Sequence, residues 1–215
     1  KSSAASDVYK RQLYYMSYKN QLVLTGALDD VGSPIRENSG KSYRTGIELE
    51  SVYKATNKLN ISANISLSEN KNVDYKTNYN GVITDWGDTD ISFSPNVISS
   101  AGIQFNASQD LTFALLNKFV GNQYMSNTES NISKLSSYST TDLNILYTIK
   151  NSAYFSEIIV TAMINNIFDK EYVSNGFYYT YDDTWSDPNL ITTIEGTGYY
   201  PQAKRNFLLG LTFKL

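Results

Sequence analysis

Polar and apolar residues alternate along most of the chain. The clearest run is "LNISANISLS", Leu59 to Ser68. Leu59, Ile61, Ala63, Ile65 and Leu67 share one face, and Asn60, Ser62, Asn64, Ser66 and Ser68 share the other. Successive strand side chains point to opposite faces, so this is a two-faced strand. "LTFALLNKF", "TDLNILYTI" and "NFLLGLTFKL" repeat the pattern. It predicts about eight strands, beginning near Leu13, Tyr43, Leu59, Asn96, Leu111, Ser139, Phe155 and Asn206. Most run roughly 10–12 residues, against a usual mode of about 5–6, and a tilted strand needs about 9–11 to cross a bilayer. Residues 1–12, "KSSAASDVYKRQ", fit no such period and read as a non-native or disordered tail ahead of a single domain over 13–215.

The connections alternate too. "KATNK", "NASQD" and "KNSA" are short and rich in turn residues. About Thr25–Lys41, Asn70–Pro95, Gly121–Tyr138 and Phe168–Arg205 are long and read as loops. Antiparallel strands send alternate connections to opposite ends of a sheet, so one end carries tight turns and the other long loops. Outer-membrane barrels have that asymmetry. The pattern predicts an all-β, antiparallel up-and-down transmembrane β-barrel. A soluble sandwich also alternates, but strand length and loop asymmetry argue against it.

Composition sharpens this. Of 215 residues 18 are tyrosine, a side chain suited to places where one end is wet and the other dry. The charged fraction of 18% lies below the roughly 25% of a soluble domain. A net charge of −3 gives no basic surface for nucleic acid. Without cysteine or histidine there are no disulfides, no thiolate or imidazole metal ligands and no Ser-His or Cys-His catalysis, so no enzyme is expected. Glu48 and Glu50 share a face and read as hydrated wall rather than as an acid–base pair. Two acidic, aromatic clusters, "DWGDTD" and "FYYTYDDTWSD", fall in the long connections. Their spacing fits no calcium loop, and no metal or cofactor is expected. Aromatics beside polar groups do suit a small polar ligand. The candidate ligand-binding residues are Trp86, Tyr178, Tyr179, Tyr181 and Trp185.

Four stretches resemble, in order, the C-terminal part of TonB-dependent outer-membrane receptors: "LYYMSYKNQLVLTG", "SYRTGIELE", "NNIFDKEY" and "YYPQAKRNFLLGLTFKL". The wording is nearest to receptors of Bacteroidetes-type bacteria. The resemblance implies about eight strands of a barrel of about 22, whose N-terminal plug and TonB-engaging segment lie outside 13–215. It implies an active transporter in the outer membrane of a Gram-negative bacterium. Its cargo would be a scarce nutrient such as a ferric siderophore, haem, cobalamin or a glycan. Its partners would be outer-membrane lipid, the TonB complex through the missing part, and a small-molecule or metal-chelate ligand. The end, Phe213-Lys214-Leu215, departs from the terminal Phe or Trp common in such barrels. A complete eight-stranded barrel with an adhesive or structural role is the alternative, and it requires the first and last strands to pair. In either barrel "INNIFDKEYVSNG" marks the rim. There Ile164 leaves lipid, Asn165 and Asn166 approach the outer edge, and Ile167, Phe168 and Tyr172 suit the interfacial aromatic belt.

Overall fold

The computed structural model describes residues 8–29, 31–79, 82–150, 154–187 and 190–215. Among the described residues, fifteen strands follow one another. They are β1 Val8–Lys19, β2 Leu22–Leu28, β3 Pro34–Asn38, β4 Lys41–Lys54, β5 Leu59–Tyr79, β6 Val82–Asp90, β7 Val97–Asn106, β8 Leu111–Val120, β9 Gln123–Tyr124, β10 Lys134–Leu135, β11 Tyr138–Lys150, β12 Glu157–Asn165, β13 Val173–Asp183, β14 Thr192–Pro201 and β15 Asn206–Lys214. Eight form an antiparallel wall in the order β1-β4-β5-β7-β8-β11-β12-β15. These are the eight expected strands, in chain order. The first begins at Val8, so residues 8–12 of the expected tail belong to the wall, where Arg11 lies opposite Leu49. Residues 1–7 lie outside the described set.

Register turns the alternation of single strands into two continuous surfaces. Ile61, Ile103, Leu115, Leu143, Ile164 and Phe207 sit opposite one another across six successive strands. On the other face a row runs Lys10, Glu50, Asn64, Ser100, Lys118, Thr140. Neighbours in that row satisfy each other. The Lys10 ammonium lies 3.3 Å from the Glu50 carboxylate, and Asn64 donates to the Ser100 hydroxyl at 2.8 Å. Glu50 is therefore one half of a wall ion pair. The polar face is interrupted by Leu116, Leu146 and Leu208, all exposed.

Aromatic residues bound the apolar face at both ends. Tyr9, Tyr53, Phe105, Phe113, Tyr147 and Phe213 lie toward the short turns. Tyr15 and Tyr43 stack near the other end, with ring centroids 6.1 Å apart, and Phe119 and Phe207 lie toward it. From Tyr43 to Tyr53 the chain advances about 33 Å at roughly 3.3 Å per residue, or about 25 Å along the membrane normal at a tilt near 40°. That matches the apolar height of an outer-membrane barrel.

The wall does not close. Among the described residues β1 pairs only with β4, and β15 only with β12. The alternative of a complete eight-stranded barrel required β1–β15 pairing, and that pairing is absent.

The long connections are not loops. They fold as β2–β3, as an extension of β5 paired with β6, as β9–β10 and as β13–β14. The buried residues gather in these rim elements, Val23, Tyr75, Ile91, Met125, Asn127 and Leu135 among them, and at the adjoining ends of wall strands, as at Ser42, Val120 and Thr141.

The apolar face predicts a depth-dependent response. Leu115→Arg, midway between the belts, should destabilise the intact protein in phospholipid vesicles by about 2–4 kcal/mol, whereas Leu111→Arg near the turns should cost about 0–1 kcal/mol. Urea unfolding of both variants in vesicles measures the difference.

Candidate functional site

The rim holds together through buried polar groups. Asn127 sits between three elements and is almost wholly buried. Its amide donates to the Leu24 carbonyl of β2 at 3.0 Å. Its side-chain oxygen accepts from the Asn72 amide of β5 at 3.3 Å and from the Ser92 backbone N–H at 2.9 Å. Close by, the Lys71 ammonium lies 2.7 Å from Asp90 and 3.4 Å from Glu129, while Glu129 also accepts from the Asp90 N–H at 2.5 Å. The Tyr75 ring is fully buried and its hydroxyl reaches Glu37 of β3 at 3.2 Å. A buried polar group left unpaired is costly, so the Asn127, Glu129 and Tyr75 bonds tie one rim element to the next.

The assembled hairpins enclose a cavity of about 470 Å³. Thr25, Ile35 and Glu37 line it from β2–β3, Thr77, Thr84 and Trp86 from β5–β6, and Tyr178, Thr180, Asp182, Thr193 and Glu195 from β13–β14. Small-ligand sites span about 300–1,000 Å³, with few polar groups in an apolar or aromatic lining. The side chains are fixed before any ligand arrives. Tyr178 donates to Glu195 at 2.5 Å, Thr193 to Asp182 at 3.0 Å, and the Trp86 indole to Thr77 at 3.0 Å. Burial, then the Glu195 carboxylate, pushes the Tyr178 phenol well above its ordinary range. Gly26 permits this placement. Its φ is +90°, and a Cβ there would lie 2.7 Å from the Tyr178 ring.

β13 has a second aromatic face. Phe177, Tyr179 and Tyr181 stack in series, with centroids 6.1 and 6.4 Å apart. Phe177 lies opposite Gly198 and Tyr179 opposite Gly196, where any Cβ would strike the ring. Each ring covers the strand where glycine leaves it bare.

A TonB dependent receptor-like β-barrel family model matches residues 12–167. The chain belongs to this family. Solved receptors share its fold. The siderophore receptor PiuA from Acinetobacter baumannii aligns with 96% of this chain and 26% of its own, at 18% identity and a TM-score of 0.68. The ferric yersiniabactin uptake receptor FyuA from Yersinia pestis aligns with 97% and 27%, at 16% and 0.64. The copper transporter OprC aligns with 96% and 29%, at 16% and 0.64. The chain thus spans about a quarter of the length of the receptors it matches. No curated protein matches it. The family-matched segment ends before β13, so the hairpin carrying Tyr178 lies beyond it, while the structural likeness extends over nearly the whole chain.

Of the five sequence candidates, the structure brings Trp86 and Tyr178 to one cavity, while Tyr181 borders it with its ring stacked on Tyr179 on the ladder face. Tyr179 is on the ladder face, and Trp185 stands at the hairpin tip, 91% exposed. A turn holds it there, with Asp183 accepting from the N–H groups of Trp185 and Ser186, each at 3.0 Å. Sequence reasoning missed Glu37, Glu195 and the threonines. "TTIEGTG" held a signal, because Thr193 and Glu195 alternate with residues of the glycine face.

In the "NNIFDKEY" stretch Asn166 is buried, with φ +52°. Its N–H donates to Asp142 at 2.7 Å and its amide to the Lys170 carbonyl at 2.8 Å. Asp169 accepts from the Arg205 N–H at 2.9 Å, tying this turn to the entry of β15. Phe168 is exposed, as an interfacial residue would be, while Tyr172 stacks on Tyr138 with centroids 4.4 Å apart. The stretch is a rim clasp.

Asn127→Ala should loosen the rim selectively, at a cost of about 2–4 kcal/mol from the buried groups it leaves unpaired. Hydrogen exchange should speed in β2 and around Asn72 and Ser92, with wall strands β7, β8 and β11 unchanged. Glu37 predicts a pH effect. Burial, opposed by the Tyr75 hydrogen bond, holds its carboxyl above the ordinary carboxylate value. The folded rim therefore keeps this proton longer than the unfolded chain does. The stabilisation is present in full below the unfolded value and is lost as pH rises through the raised folded value. Exchange protection around Tyr75, corrected for intrinsic rates, should thus fall on going from acid to neutral pH. Glu37→Gln should flatten that fall.

Proposed function

We propose that this chain is the C-terminal barrel portion of a TonB-dependent active transporter in the outer membrane of a Gram-negative bacterium. The cargo is a scarce nutrient too large for a porin, in the class of ferric siderophores, haem, cobalamin or glycans. The observation that carries this reading is the open wall. Among the described residues, eight lipid-height strands end in two unpaired edges, β1 and β15, on a chain that spans about a quarter of the length of its structural relatives. Exposed sheet edges invite aggregation, and further barrel strands would cover both. On this reading the segment supplies wall, lipid contact and one side of the ligand entrance. The plug and the contact with TonB belong to other parts of the receptor, and the chain performs no catalysis. Trp86 and Tyr178 contact the ligand from the rim cavity, and Tyr181 borders it. Tyr179 supports the hairpin.

A strain lacking the gene should fail to accumulate one member of a panel of ferric siderophores, haem, cobalamin and oligosaccharides. The intact gene should restore accumulation only where TonB is functional. Normal accumulation of every member by the null strain would remove the transporter reading. In the intact receptor, Trp86→Ala and Tyr178→Ala should each weaken that ligand about tenfold, as loss of a buried aromatic anchor does, and Tyr179→Ala should change affinity less than about twofold.

A further inference from the structure

The charge of the rim cavity narrows the class of ligand. Three carboxylates line it, Glu37, Asp182 and Glu195, one from β3 and two from β13–β14. Among the described residues, no lysine or arginine does. The nearby Lys76 is held 2.9 Å from Asp85. Each carboxylate is oriented by a hydroxyl donor: Tyr75 for Glu37, Thr193 for Asp182 and Tyr178 for Glu195. A hydroxyl fixes a carboxylate without neutralising it. The Trp86 and Tyr178 side chains line the same space, and the face of an aromatic ring attracts a cation. Carboxylates gathered without a cation among them attract a positive charge and repel an anion alike. Nor does the arrangement suit a bare metal ion: among the described residues no three acidic groups stand close enough to hold one.

The geometry points to an organic cation: the cavity takes a small molecule whose ammonium or guanidinium group sits between the carboxylates while its frame packs on Trp86 and Tyr178. This rests on the transporter reading and sharpens its substrate class. Anionic chelates are disfavoured. The threonines give the frame hydroxyl partners, and the ammonium gives the carboxylates the charge that tyrosine and threonine hydroxyls cannot.

The test uses the intact receptor in detergent and three ferric probes, two of which differ chiefly in charge. Ferrioxamine B carries a pendant ammonium, its N-acetyl derivative is neutral, and ferric citrate is anionic. Calorimetry should find ferrioxamine B bound about tenfold tighter than the acetylated form, the scale of one well-placed charge-assisted contact, with ferric citrate weakest. The double variant Asp182→Asn, Glu195→Gln keeps shape and hydrogen bonding, and it should reduce that preference to less than about twofold. Trp86→Leu should weaken both ferrioxamine forms together and leave their ratio unchanged. Equal affinity for the acetylated probe, tighter binding of ferric citrate, a preference that survives in the double variant, or no binding of ferrioxamine B would each overturn the inference. None of these touches the transporter reading, which fails only if the null strain accumulates every nutrient normally.

Discussion

A strand in hydrocarbon has no water to satisfy its amides, so every backbone group must find a partner in the next strand. That requirement fixes the long antiparallel ladders of this wall, their chain-order connectivity and the division of each strand into two faces. It also explains why the wall has no core. A soluble sheet buries its apolar face against another layer. Here Ile103, Leu115, Leu209 and Leu211 stay exposed, as a face whose second layer is lipid would. Burial returns only at the rim, where the chain meets water again and hairpins must pack on one another.

The difference in surroundings explains what the sequence could reveal. Between the belts, lipid on one face and water on the other force a hydrophobic period of two, so "LNISANISLS" declares itself. Above the belts both faces of a strand are wet or polar. β6, "VITDWGDTD", then alternates shape without alternating hydrophobicity, and it reads as loop. The candidate site suffers from the same cause. "FYYTYDD" reads as one aromatic cluster, yet strand geometry sends Tyr178 to the cavity and Tyr179 to the ladder. Glu37 and Glu195 were hidden for another reason. They are 158 positions apart by their numbering, and only the packing of hairpins brings them to one cavity.

The rim is built of the interactions that a membrane wall excludes. Asn127 offers one amide, and three elements compete to use it. Such a buried network specifies one arrangement, since any other leaves several donors or acceptors unpaired. Aliphatic packing would be more forgiving and would let hairpins slide. A cavity assembled from separate hairpins gains from that precision: Tyr178 stays against Gly26, and Glu195 stays in reach of its phenol. Preorganisation removes part of the ordering cost of binding, so a modest cavity can hold a ligand tightly.

The two faces of β13 show how one strand can serve support and recognition at once. On the ladder side, glycines opposite Phe177 and Tyr179 let the rings lie flat, and the hairpin gains stiffness. On the cavity side, Tyr178, Thr180 and Asp182 are set by that stiffness at fixed spacing. Replacing Gly196 or Gly198 would drive a ring off the ladder face, and the strain would pass through the backbone to residues pointing the opposite way. The glycines therefore influence a site they never touch. That coupling follows from the pleat itself, because a strand cannot tilt one face without tilting the other.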